Sequence, residues 1–216
     1  MEIEGGPELY FSSAYYSKGR FVSYWYQVCE ILGTDPDRVL EVGIGNGFVA
    51  AYLRHRGIDV LTMDVDARLH PDLTAPVTSI PLPDASFQVV SCCEVLEHLP
   101  YEDFIDALAE LRRVTSRYVL LSLPDSSSFV KLTLQFSRWA ATHRLFSHPR
   151  LFKRGHTSGV EHYWEIGRSG YPLRRIKRDI ARGGLEITRT YRPFEFPHHR
   201  IFMLERTASH AGFRGC

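Results

Sequence analysis

The residues best able to do chemistry lie in a few short stretches. In Glu41-Val42-Gly43-Ile44-Gly45-Asn46-Gly47 a carboxylate precedes glycines at every second position. Glycine serves where a backbone must turn with positive φ, or where a ligand must reach main-chain N–H groups without meeting a Cβ. Asp64, followed by Val65, lies about 20 residues beyond that turn, the spacing at which an acid accepts two hydrogen bonds from a ribose diol. Further on, Glu161-His162-Tyr163-Trp164-Glu165 offers an imidazole that titrates near neutral pH. The adjacent phenol can orient an acceptor hydroxyl, but it is a poor base at its ordinary pKa. Neither the histidines nor the cysteines Cys29, Cys92, Cys93 and Cys216 show a compact metal spacing, so no metal is expected.

These groups need elements to hold them. Val39 to Val42 is a short apolar, β-branched run that predicts a buried strand, and Gly47 to Arg56 predicts a helix stopped by Gly57. Strand, glycine turn and helix start together set free N–H groups beside a ligand at the carboxyl end of a strand. Ile58 to Met63 predicts a second strand ending at Asp64. Asp72 to Ile80 predicts a weaker third, and Phe87 to Cys93 a fourth that runs into Glu94. Tyr101 to Val114 carries Phe104, Ile105, Leu108, Leu111 and Val114 at helical spacing, with Tyr118 to Leu123 as a fifth strand. Phe129 to Phe146 is expected to be a helix-like apolar and basic segment. Tyr171 to Arg182 predicts an Arg-rich helix, and Leu185 to Tyr191 and Arg200 to Glu205 two closing strands. Tyr10 to Leu32 is an aromatic-rich helical segment, expected to cover the sheet.

The cofactor follows from spacing and from a likeness. A dinucleotide turn, G-x-G-x-x-G, would need a third glycine where Phe48 stands, which argues against an NAD-type oxidoreductase. Glu41-x-Gly43-x-Gly45-x-Gly47 instead resembles motif I of class I S-adenosylmethionine (SAM) dependent methyltransferases. Pro81-Leu82-Pro83-Asp84-Ala85-Ser86-Phe87-Gln88-Val89-Val90 resembles the "L-P-F-x-D-x-S-F-D-V-V" passage of the UbiE-like, Methyltransf_11 type. Val95-Leu96-Glu97-His98-Leu99 resembles that family's "V-L-E-H-L" segment, and the likeness runs unbroken from Val39 to Pro124. Two departures stand out. Gln88 replaces the usual Asp, and Pro76 lies where an Asp that contacts the adenine amine is often found.

The resemblance implies a single domain, 1–216, with an α/β Rossmann-like class I methyltransferase fold. Its sheet has seven strands, mostly parallel, in the order 3-2-1-4-5-7-6, with strand seven antiparallel and helices on both faces. Residues 10–32 become an N-terminal helical cover and residues 126–169 an inserted lid. The implied cofactor is S-adenosyl-L-methionine, with S-adenosyl-L-homocysteine as product. Gly43, Ile44, Gly45 and Gly47 would present main chain to its methionine part, Glu41 would orient the loop, and Asp64 with Val65 would hold the ribose. Backbone near Ser79 and Ile80 would meet the adenine, and Cys93 and Glu94 would lie beside the methionine. By family position His98 is a packing histidine. Arg138, Arg144, Lys153, Arg154, His156 and His162 fall in the lid, which would place His162 and Tyr163 near the transferred methyl as catalytic candidates.

Composition bounds the partners. Residues 1–125 hold 9 Lys and Arg against 19 Asp and Glu, whereas residues 126–216 hold 17 against 6. An acidic half suits a sulfonium cation, and a basic half suits an anionic acceptor; internal pairing between the halves explains the same numbers. A small or medium-sized, anionic acceptor is the leading expectation. RNA methylation and a SAM-binding, non-catalytic regulatory module stay open. The Asn/Asp-Pro-Pro-Tyr/Phe tetrad of nucleobase amino-methyltransferases does not follow the fourth strand, so DNA is not an expected substrate. No apolar run approaches the roughly 20 residues of a membrane span, and Met1 to Pro7 does not read as a signal peptide. The expectation is a cytoplasmic monomer or homodimer.

Overall fold

The computed structural model describes residues 6–13, 15–137, 140–147 and 162–207. Its strands are β1 (Arg38–Val42), β2 (Asp59–Asp64), β3 (Leu73–Thr74), β4 (Phe87–Cys93), β5 (Thr115–Pro124), β6 (Phe129–Ser137), β7 (Ala140–Ser147), β8 (Leu185–Tyr191) and β9 (His199–Arg206). The helices are α1 (Lys18–Leu32), α2 (Phe48–His55), α3 (Phe104–Val114) and α4 (Leu173–Arg182). One sheet runs β3-β2-β1-β4-β5-β9-β8, with β6 and β7 forming a separate hairpin. Leaving that hairpin out of the count gives the expected order 3-2-1-4-5-7-6. The first five strands pair in parallel, and β9 pairs antiparallel with both β5 and β8.

The central strands are apolar on both faces because both are covered. Period-two alternation divides their side chains between two cores. Val39, Val89, Leu120, Ile201 and Met203 pack under α1 and α2 with Tyr24, Ile31, Val49 and Leu53. Leu40, Val90, Leu121, Phe202 and Leu204 pack on the other face with Phe104, Leu108, Leu111, Ile176, Ile180 and Trp164. α1 starts at Ser17, whose hydroxyl accepts the Arg20 amide at 3.2 Å. The N-terminal cover is thus a helix over Lys18–Leu32 preceded by a short 3-10 turn at Pro7–Phe11.

Two sequence expectations are corrected. The third strand is only Leu73–Thr74. Pro76 begins a turn instead, with the Ser79 amide donating to the Pro76 carbonyl at 3.1 Å. The segment expected to be helix-like over 129–146 is the β6–β7 hairpin. Val130, Leu132 and Leu134 alternate with Lys131, Thr133 and Gln135, a period of two that its density of apolar residues conceals. Paired Cα atoms such as Leu132 with Arg144 and Thr133 with His143 fix the register.

Part of the charge asymmetry is met by internal pairs. Arg175, Arg178 and Arg182 converge on the buried Asp179 at 3.7, 3.0 and 3.6 Å. Arg192 and Arg200 meet Asp125 at 3.7 and 2.7 Å, and Arg189 pairs with Glu30 across the two halves.

Candidate active site

The glycine turn between β1 and α2 is where the chain needs glycine. Gly43, Gly45 and Gly47 have φ of 84°, 53° and 73°, a region that costs other residues roughly 1–2 kcal/mol. A Cβ on Gly43 would lie 2.3 Å from Val95 Cγ2, and one on Gly45 would lie 3.7 Å from the Tyr10 ring. Asp64, at the end of β2, ties the turn down. Its carboxylate accepts the Ile44 amide and the Asp66 amide, each at 3.0 Å. Burial raises its pKa against these bonds. Each oxygen keeps a further lone pair, the capacity that a ribose diol would use. Val65, next to it, is 41% exposed.

Glu41 sits under the turn. Burial pushes its carboxyl up to about 8, opposed by the Ala50 amide in the first turn of α2, and its Oε2 has no hydrogen-bond partner. Tyr10 and Tyr15 meet edge to face at 5.1 Å over this turn, and the Arg20 guanidinium lies 4.3 Å from the Tyr15 ring centre. The N-terminal cover therefore reaches the glycine turn. Tyr10 joins Tyr15 and Arg20, while Tyr16 is exposed and stacks on Phe21. At Ser79 and Ile80, where adenine was expected, several backbone groups have protein partners. The Ile80 amide donates to Glu110 at 2.8 Å, and its carbonyl accepts from Arg113 at 2.6 Å. The Ser79 amide is engaged too, by the Pro76 carbonyl.

At the end of β4 the site is built from side chains. Glu94 has φ of 57°, an unusual value for a residue with a side chain. Its Oε1 accepts the Ser122 hydroxyl at 2.7 Å, and its Oε2 is 3.2 Å from His199 Nε2. Burial lowers the His199 pKa, so the ring is neutral at pH 7. A proton on Nε2 then serves Glu94, and Nδ1 accepts the Ser23 hydroxyl at 3.2 Å. Cys93, beside Glu94, is pushed up to about 12 by burial and is a thiol.

Beyond Glu94, the 3-10 turn Leu96–His98 presents Glu97 and His98. His162 comes from the far side of the hairpin, and its ring stands 4.9 Å from that of His98. Glu165 Oε1 is 3.0 Å from His162 Nδ1 and 2.6 Å from Arg168 Nη2, and Oε2 accepts the Ser126 hydroxyl. Burial alone would raise the Glu165 pKa, but His162, Ser126 and Arg168 together hold it at about 2. Trp164 anchors the segment. Fully buried against Tyr101 and Phe104, it donates from Nε1 to the Leu99 carbonyl at 3.1 Å. Tyr163 gives its amide to the Glu97 carbonyl at 3.0 Å and turns its ring outward, 60% exposed. Arg144 lies exposed on β7, and Arg138, Lys153, Arg154 and His156 lie outside the described residues.

Sequence reasoning thus missed His199, Ser122 and Glu165 and treated His98 as packing. The spacing Glu94-x-x-Glu97-His98 was a visible signal. No local signal marks His199, which β9 delivers. The sequence also gave no reason to expect metal. The structure nevertheless groups Glu97, His98 and His162 so that one ligand atom of each lies within 4.8 Å of the others.

With this geometry in place, comparison with known proteins is informative. Residues 40–121 match the family model of the methyltransferase domain. No curated protein matches the chain in sequence. Among solved structures, magnesium protoporphyrin IX methyltransferase from Synechocystis PCC 6803 with bound SAM superposes with a TM-score of 0.58 at 16% identity, covering 88% of this chain and 80% of that one. The 1,6-didemethyltoxoflavin-N1-methyltransferase of Burkholderia thailandensis, with its substrate and S-adenosylhomocysteine bound, gives 0.55 at 15% identity over 86% and 79%. A SAM-dependent methyltransferase from Clostridium acetobutylicum gives 0.59 at 11% identity over 86% and 92%. The fold is that of the class I SAM-dependent methyltransferases. No helix among the described residues is long and apolar enough to cross a membrane.

Proposed function

We propose that this chain transfers a methyl group from SAM to a small or medium-sized, anionic acceptor. One observation carries the reading. The half-buried glycine turn after β1, held at positive φ, is tied to the end of β2 by the Asp64 carboxylate. Gly43, Ile44, Gly45 and Gly47 hold the methionine part. Asp64, with Val65 beside it, receives the ribose, and Glu41 braces the turn from below. Glu94 and Cys93 border the methionine side. The carboxylates of Asp64 and Glu94 give this edge the charge that favours a sulfonium.

Bound SAM supplies an activated methyl whose leaving group, a thioether, needs no proton. Alignment can therefore do most of the work. The protein's own task is to hold the acceptor in line and, for a hydroxyl acceptor, to see its proton removed. The acceptor edge is the end of β4 and β5, where His162 is oriented by Glu165 and Tyr163 stands at the rim. The small-molecule acceptors in the names of the two enzymes described above support that size class. The basic residues of the inserted segment, Lys131 and Arg144 among them, support an anion.

The test is calorimetric titration with SAM and S-adenosylhomocysteine, followed by a search of small-molecule extract for masses that rise by one methyl with enzyme and SAM. Micromolar binding of both ligands is expected. Failure of either to bind at millimolar concentration would remove the reading.

A further inference from the structure

A buried carboxyl group without a partner is costly, because burial removes its water and nothing replaces it. Glu97 is such a group. It is fully buried, and neither oxygen makes a hydrogen bond. Its charged neighbours make this worse, since Glu94 and Glu165 are also acids. Both of those are satisfied elsewhere, Glu94 by Ser122 and His199, Glu165 by His162, Ser126 and Arg168. Beside Glu94, what faces Glu97 is a pair of imidazoles, His98 and His162, with their rings 4.9 Å apart.

We propose that Glu97, His98 and His162 bind one divalent first-row transition-metal ion at the carboxyl end of β4. One ligand atom from each already lies within 4.8 Å of the other two. Donors about 2.1 Å from a shared ion stand about 3.4 Å apart at a tetrahedral angle, so closure needs movements of little more than an ångström. Two imidazoles and a carboxylate are a donor set suited to zinc, cobalt or iron, and three protein ligands leave a position open. His162 also has the partner expected of a ligating histidine. Its Nδ1 is held by Glu165, which fixes the ring and leaves Nε2 as the nitrogen available to an ion. Glu165 is fixed in turn by Ser126 and Arg168. The ion gives the buried Glu97 oxygens the partner that they lack among the described residues. Cation binding does not depend on the methyltransferase reading. The consequence for catalysis does rest on it: His162 becomes a ligand rather than a free base.

The experiment uses the full-length, tag-free protein, stripped with chelator and titrated with Zn2+ by calorimetry and with Co2+ by visible absorption, without SAM. One ion per chain is expected, with a Kd at or below the micromolar range and Co2+ d–d bands of a low-coordinate site. Glu97→Gln and His98→Ala should each weaken binding by about 100-fold or more. Glu165→Gln should weaken it by about 10- to 100-fold through the orientation of His162. Circular dichroism checks that each variant folds. Should a variant unfold, paramagnetic shifts of the His98 and His162 ring protons in wild-type Co2+ protein decide the question. The proposal is overturned if no Co2+ spectrum develops, if those protons do not shift, or if folded Glu97→Gln and His98→Ala bind Zn2+ like wild type. Because SAM is absent from the titration, failure here leaves the cofactor reading intact. Failure of SAM to bind leaves the metal result intact.

Discussion

The two ends of the site are made of different materials. At the ends of β1 and β2 the working surface is backbone. The amides of a glycine turn are presented by positive φ and fastened by one carboxylate, Asp64, within a single β–α–β unit. At the ends of β4 and β5 the working surface is side chain. Glu94 and Glu97 follow β4, Ser122 belongs to β5, His162 and Glu165 return from beyond the hairpin, and His199 opens β9. The first end tolerates change in side chains but not in backbone shape. The second holds its backbone through Trp164 and depends on what its side chains offer. That division suits a protein that binds one fixed cofactor beside a variable acceptor.

Substitutions should separate the two ends. The largest effect is expected from His162→Ala, which should lower turnover of the acceptor by about 10²- to 10⁴-fold, the range for losing proton removal at the acceptor, whether the ring acts as base or holds the proposed ion. SAM affinity should stay within twofold. Steady-state kinetics beside calorimetry reads both, and an equal loss of SAM binding would merge the two ends into one. Next comes Gly43→Ala, which combines a φ of 84° with a contact at 2.3 Å. It should weaken SAM by about 100-fold and lower stability by about 1–3 kcal/mol. Gly57→Ala, at φ 85° with nothing within 4 Å, isolates the conformational part of that cost and should leave SAM binding unchanged.

Asp64→Ala removes a charged acceptor of two backbone amides together with the proposed ribose contact. A loss of about 1.5–3 kcal/mol per charge-assisted bond corresponds to SAM weakened by about 10- to 100-fold. Turnover at saturating SAM should change less than in His162→Ala.

Glu41 gives a pH signature to the cofactor end. Burial raises its folded pKa to about 8, above an unfolded value of about 4.3. Between those values the folded chain holds a proton that the unfolded chain has released, so stability falls as pH rises through the window. Glu41→Gln, which mimics the protonated group, should flatten that fall, by at most a few kcal/mol across the window. Denaturant melts at pH 5 and pH 8 measure it, and parallel losses in both proteins would refute the assignment. The smallest effect belongs to Gln88, whose Oε1 accepts the Arg38 amide at 2.9 Å and whose Nε2 donates to Asp37 at 3.2 Å. Gln88→Ala should cost about 1 kcal/mol in the same melts and nothing in SAM affinity, because it braces the entry to β1 far from the turn.

The sequence by itself determined the features that depend on near neighbours. Glycine at 43, 45 and 47 is a statement about φ, and the chain can make it within a few residues. The runs at 38–42, 87–93 and 185–191 announce themselves as strands for the same reason, and Asp64 is legible because its spacing to the turn is fixed by one helix and one strand. Sheet order followed from the resemblance rather than from any residue. The hairpin at 129–147 was misread because apolar density hid its alternation, and the third strand because Pro76 turns the chain after two paired residues. Only the tertiary structure decided the proposed acceptor end. His98 in isolation is a turn residue, and His199 in isolation is the first residue of a strand. What makes them a site is the antiparallel insertion of β9 beside β5 and the burial of Trp164, which carry His199 to Glu94 and His162 to His98. Such convergence is set by pairing and packing between distant segments, and no local preference of the chain encodes it.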